Sequence, residues 1–155
     1  MGHAVYDLED RLLEYSALIV RLVERLPATR AGNHVGGQLL RSGTSPLFNH
    51  GEAQAAESQK DFVHKMRICL KELREWHRAL RLILKVPLSS DPAEAQTAMR
   101  ETDELIRIFV ASIRTAERNK TEHPDIGVPP VSVCGRIFSM KRTPDQILGS
   151  AVTVA

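Results

Sequence analysis

Six basic side chains, Arg67, Lys71, Arg74, Arg78, Arg81 and Lys85, recur at alternating steps of four and three. At ~100° per residue that rhythm gathers them into one stripe along a helix. From Lys60 to Lys85 eight basic residues stand against three acidic ones. This is a local charge of +5 in a chain whose total is +2, so the remainder carries −3. A basic stripe lines up with phosphates, and release of their counterions drives non-specific nucleic-acid binding. The same row also fits a solvated face, or salt bridges to an acidic neighbouring helix or subunit. No aromatic residue interleaves with it, so base stacking is not expected and recognition here would follow charge and shape.

A second constellation is polar. Gln38, Arg41, Ser45, Asn49 and Glu52 step by three and four, and Glu57 extends the series. As a site, Arg41 would hold an anion and Glu52 would act as a base. As structure, these side chains satisfy one another, or a partner subunit, in a network that fixes register. No nucleophile stands with its own base and orienting group, so no catalytic residue is assigned and no enzyme activity is expected. A di-iron bundle site needs Glu-x-x-His on each of two helices. The nearest match, Asp61-x-x-His64, occurs once. His34 and His50 lie among glycines and His77 beside Trp76; each is expected to be a surface or hydrogen-bonded histidine. Neither a Cys-x-x-Cys pair nor a phosphate-cradling loop is present, so no metal or cofactor is expected.

Positioning these residues requires long helices, and glycine and proline mark where they stop. Leu8, Leu12, Tyr15, Ile19, Leu22 and Leu26 share one helical face, with Asp7 as N-cap and Pro27 as terminator. Ala28–Val35 reads as a loop with Gly32 and Asn33 as turn residues. From Gly36 to Glu57 the spacing predicts a helix bent near Pro46, or two short helices joined at Gly43–Pro46. Ser58 to Val86 is the longest clean helix, with Phe62, Met66, Cys69, Leu73, Trp76, Leu80 and Ile83 as a heptad seam. Asp91–Pro92 opens a fourth helix that runs to about Asn119. Four such helices with short connections predict an all-α, antiparallel up-down-up-down four-helix bundle over residues 1–119. Residues 120–155, with four of the eight prolines, read as an irregular tail.

Composition agrees with this outline. At 155 residues, 43% hydrophobic and 26% charged, the chain suits one folded domain and is too apolar to be disordered. Two cysteines make no disulfide scaffold, and no apolar run approaches the ~20 residues of a membrane span. A cytoplasmic protein without membrane contact is the expectation.

The run Gln38-Leu39-Leu40-Arg41-Ser42-Gly43-Thr44-Ser45-Pro46, followed by Asn49-His50-Gly51-Glu52-Ala53, resembles the bacterial four-helix bundle proteins named after 23S rRNA intervening sequences. The likeness continues through Glu57-Ser58-Gln59-Lys60-Asp61-Phe62, Lys65 and Lys71-Glu72-Leu73-Arg74-Glu75, and covers about residues 7–119. It implies a ring-like homopentamer without established enzymatic activity. A related branch contains the accessory protein of diversity-generating retroelements, a basic pentamer that binds nucleic acid and a reverse transcriptase. The resemblance therefore implies RNA or DNA, or a protein such as a polymerase, as partners. It casts Gln38, Arg41, Ser42, Ser45, Asn49, Glu52, Glu57, Asp61, Lys65, Glu72 and Glu75 as structural or subunit-interface residues. Two departures stand out: the tail from Lys120 has no counterpart in the family pattern, and the net charge of +2 is far from strongly basic.

Overall fold

The computed structural model describes residues 7–122. Four helices fill them: α1 (Leu8–Glu24), α2 (Arg30–Gln54), α3 (Gln59–Lys85) and α4 (Pro92–Glu122). Successive helices pack side by side, α4 closes back against α1, and contacts between them run antiparallel. Pro46 of α2 meets Cys69 of α3, His77 of α3 meets Asp103 of α4, and Arg25 of α1 meets Glu94 of α4. The result is an up-down-up-down four-helix bundle, with no strand among the described residues.

Each helix begins where a side chain can satisfy the free amides of its first turn. The Asp7 carboxylate accepts from Glu9 N–H, and the Ser58 hydroxyl accepts from Asp61 N–H. Asp91 Oδ1 accepts from both Ala93 and Glu94, ahead of Pro92 at the first helical position. The expected seam of α3 is the centre of the core: Met66, Cys69, Leu73, Trp76, Leu80 and Ile83 are all 0% exposed. Phe62 is only half-buried. Tyr15 of α1 meets the Trp76 ring edge-on at 6.3 Å.

The second helix departs from its expected bounds. It starts at Arg30, not Gly36, because Thr29 caps it: the Thr29 hydroxyl accepts from Gly32 N–H at 3.0 Å. Gly32 is therefore a first-turn residue rather than a loop residue. A Cβ on it would collide with the Pro27 carbonyl oxygen, since the chain folds back tightly between α1 and α2. Pro46 lies inside one continuous helix and does not divide it. The helix stops at Gln54, which leaves Glu57 exposed in the connection to α3. At the other end of the chain, α4 continues to Glu122, three residues into the segment expected to be irregular. The rest of that segment, with Cys134, lies outside the described residues.

Gly43 shows why α2 tolerates small residues. A Cβ there would come within 2.7 and 2.8 Å of two Ile19 methyl carbons and 3.1 Å of the Trp76 ring. Only a hydrogen side chain lets α1 and α2 close over the tryptophan at this level.

Candidate functional site

The seam of α3 faces inward, so the residues half a turn away face water. All six of Arg67, Lys71, Arg74, Arg78, Arg81 and Lys85 are exposed. Two are tied to carboxylates: Arg67 pairs with Glu117 of α4, and Lys71 lies 3.6 Å from Glu72 and 3.7 Å from Glu75. Arg78 donates to the Arg74 carbonyl at 3.4 Å. Arg74, Arg81 and Lys85 make no ion pair among the described residues. The acidic-neighbour alternative thus accounts for part of the stripe and leaves its middle and C-terminal portion open.

The neighbouring helix contributes a second row that the sequence reading missed. Arg100, Arg107 and Arg114 follow one another at seven-residue steps on α4, with Arg118 beyond them, and all four are exposed. Their heptad spacing was the available signal. It was masked by acids in the same stretch, which cancel its charge. The structure shows where those acids go. Glu94 bonds Arg25 at 2.8 Å, Glu101 takes Arg11 bidentately, Asp103 lies 3.3 Å from His77, and Glu117 pairs with Arg67. These four acids are turned sideways into contacts with α1 and α3, leaving the arginines facing outward. Arg107 is held by Glu104 at 3.0 Å, and Arg100 donates to the Thr97 hydroxyl at 3.1 Å.

The pairs His77–Asp103 and Arg67–Glu117 also fix the register of the two antiparallel helices. In that register Arg81 stands level with Arg100, Arg74 with Arg107, and Arg67 with Arg114. The α3 stripe and the α4 row are therefore two edges of one basic surface.

The polar stripe of α2 is mostly internal bookkeeping of hydrogen bonds. Arg41 donates to Gln38 Oε1 at 3.1 Å, and the buried Ser42 hydroxyl donates to the Gln38 carbonyl at 2.9 Å. Asn49 Nδ2 donates to the Ser45 hydroxyl at 2.8 Å and to its carbonyl at 2.9 Å. Glu52 is bonded to Lys65 of α3, and its carboxylate holds that ammonium above its ordinary pKa. Arg41 and Glu52 are thus each engaged elsewhere and are not brought together over a common cavity. A pocket of about 310 Å³ lies at the α1–α2 turn instead, lined by Val23, Leu26, Gly32 and Gly36 among others. Asp61 lies in the first turn of α3 and Glu75 is half-buried on it, whereas Glu72 is buried with Oε2 lacking a hydrogen-bond partner among the described residues.

One histidine differs from expectation. His50 is neither at the surface nor hydrogen-bonded. It is 1% exposed, neither ring nitrogen has a partner among the described residues, and its ring meets Phe109 edge-on at 6.2 Å. Burial in this apolar setting lowers its pKa, against the opposing pull of Glu9 and Asp7. Its glycine-rich neighbourhood gives no sign of burial, but α2 carries it inward. His34 and His64 are exposed, and no cluster of three or more potential metal ligands occurs among the described residues. No helix there is long and apolar enough to cross a membrane.

No protein-family model matches the chain. No curated protein matches it either. Among solved structures, the chain is similar to a protein of unknown function from the S23 ribosomal protein family of Bacteroides thetaiotaomicron. The two share 29% sequence identity with a TM-score of 0.65, over 70% of this chain and 99% of that one. The likeness thus spans nearly all of the neighbour and supports the all-α bundle.

Proposed function

We propose that this chain is a non-enzymatic, oligomeric helical-bundle protein of the 23S rRNA intervening-sequence kind, binding RNA or other nucleic acid non-specifically through its basic face. The observation that carries this reading is the direction of the charges on α3 and α4. Acids are spent on contacts between helices, and arginines are left on the outside. Phosphate binding by such a surface needs no base contact, only several cations displacing counterions at once.

Assembly strengthens the reading. Leu13 and Val20 on α1, with Leu40 and Phe48 on α2, are 39–66% exposed. They lie on the side of the bundle away from the arginine rows, so copies joined through α1 and α2 would turn their basic faces outward. In the homopentamer implied by the resemblance, five weak surfaces would then act as one multivalent one.

The test is a titration of labelled RNA and duplex DNA at two salt concentrations. Binding is expected at low salt, to weaken steeply as salt rises, and to be lost in Arg74→Glu with Arg78→Glu. No binding at low salt, or binding that ignores this double reversal, rejects the proposal. A second reading is a protein adaptor, favoured by the carboxylates that already pair with Lys71 and Arg67. An acidic surface on a partner such as a polymerase would then cover the stripe, and co-purification would return protein without nucleic acid.

A further inference from the structure

The basic face is a double row, and that shape selects among nucleic acids. Arg67, Arg74 and Arg81 rise along α3 at seven-residue intervals, or about 10.5 Å per step. Arg114, Arg107 and Arg100 descend α4 at the same levels. Packed helices lie about 8–10 Å apart axis to axis, so the rows run parallel at roughly that separation. An unpaired strand offers one line of phosphates and needs somewhere to place its bases. A duplex offers two lines bordering each groove, with the bases stacked on one another. B-form grooves are about 6 and 12 Å wide, a range that brackets the separation of the rows.

The aromatic residues bear on the same choice. Proteins that hold single strands stack bases on exposed aromatic rings. Here Tyr15, Trp76 and Phe109 are buried and Phe62 is half-buried. Phe48 is exposed, but on α2, away from this face. Among the described residues no exposed Phe, Tyr or Trp ring stands on the α3–α4 surface to stack an unpaired base.

Building on the nucleic-acid reading above, we infer that the arginine rows of α3 and α4 grip the two phosphate backbones flanking one groove of a double-stranded nucleic acid. The ligand is a duplex rather than an unpaired strand. Arg67 and Arg107 exchange Glu117 and Glu104 for phosphate on binding. Exposed ion pairs of this kind hold their partners weakly.

The experiment compares one sequence of about 20 nucleotides as single strands and as duplex, in separate RNA and DNA arms, across a salt series. It uses the full chain and the variants Arg100→Glu with Arg107→Glu, and Arg74→Glu with Arg81→Glu. Circular dichroism and sedimentation check fold and assembly, and the corresponding glutamine variants replace any that fail. The wild type is expected to bind at least one of the two duplexes about tenfold or more tighter than its separated strands. The arm that binds tighter identifies A-form or B-form spacing as the better fit. Removing two contacts on α4 should lower the duplex salt slope by about 2, at ~0.9 per phosphate lost, and leave single-strand binding within about threefold. Single strands bound as tightly as both duplexes, or an α4 variant that weakens both forms alike, would overturn the duplex inference while the nucleic-acid reading stands. Failure of every form to bind at low salt would instead remove the nucleic-acid reading itself.

Discussion

Replacing Gly43 by alanine would test how closely α1 and α2 approach. The new Cβ would sit 2.7 Å from Ile19 Cδ1, 2.8 Å from Ile19 Cγ2 and 3.1 Å from Trp76 Cε3. Carbon atoms prefer about 3.5–4.0 Å, so three contacts are short at once. Neither neighbour can swing away, because Ile19 and Trp76 are both 0% exposed. Overpacking of this kind costs about 1–3 kcal/mol. Against it stands the gain from alanine inside a helix, about 1 kcal/mol over glycine. The net loss is therefore about 0–2 kcal/mol. Gly37, on the same helix, supplies the control, since nothing among the described residues lies within 4 Å of a Cβ placed there. Gly37→Ala collects the helix gain alone and should stabilise by about 1 kcal/mol. The gap between the two variants cancels propensity and isolates the clash at about 1–3 kcal/mol. Urea unfolding at one fixed protein concentration measures it, so that assembly does not shift the comparison. Adding Ile19→Ala to both variants should close most of the gap. A Gly43→Ala protein as stable as Gly37→Ala would refute the close approach.

Three further perturbations follow from the core. His50 has a folded-state pKa below its ordinary value near 6.5, so between those two values the unfolded chain binds more protons. Stability should fall as pH drops through about 6.5, by at most about 1.4 kcal/mol per pH unit, and His50→Leu should remove that part of the slope; equal slopes in denaturation at pH 7.5, 6 and 5 would count against it. Tyr15→Phe removes the 3.0 Å bond to Thr102, whose hydroxyl still donates to the Ala98 carbonyl at 2.6 Å. With no polar group orphaned the loss should be about 0.5–1.5 kcal/mol by urea unfolding, and a loss above ~3 kcal/mol would show that the tyrosine does more than this bond. Cys69 is buried with its thiol pushed up to about 12, so in a Cys134→Ser background a thiol reagent at pH 7.5 should label it only after unfolding; rapid labelling of the native protein would contradict its burial.

What the sequence displayed and what it hid divide along a physical line. Caps were readable because a cap is local: Asp7, Ser58 and Asp91 each bond an amide two or three residues onward. The α3 seam was readable because one periodic face serves a whole helix. The start of α2 was not, since Gly32 resembles a turn residue until the Pro27 carbonyl is placed against it. The burial of His50 is hidden in a related way. Its neighbours in sequence are small and polar, whereas its neighbours in space are Phe109 and the core.

The basic surface makes the point most sharply, because half of it was hidden by arithmetic. Along α4 the acids balance the arginines, so any sliding sum of charge passes over Arg100, Arg107 and Arg114. Charge cancels in sequence but not in space when the acids have partners. Glu94 and Glu101 are pinned to α1, and Asp103 and Glu117 to α3, each by a side chain that the one-dimensional sum counts as belonging elsewhere. These pins serve two ends. They set the register of the bundle, and those of Glu94 and Glu101 draw negative charge toward α1, away from the arginine rows. The contribution of an acid to a protein's external field therefore depends on the helix it leans toward. A near-neutral chain can carry a strongly basic surface whenever its acids are the residues that hold its helices together.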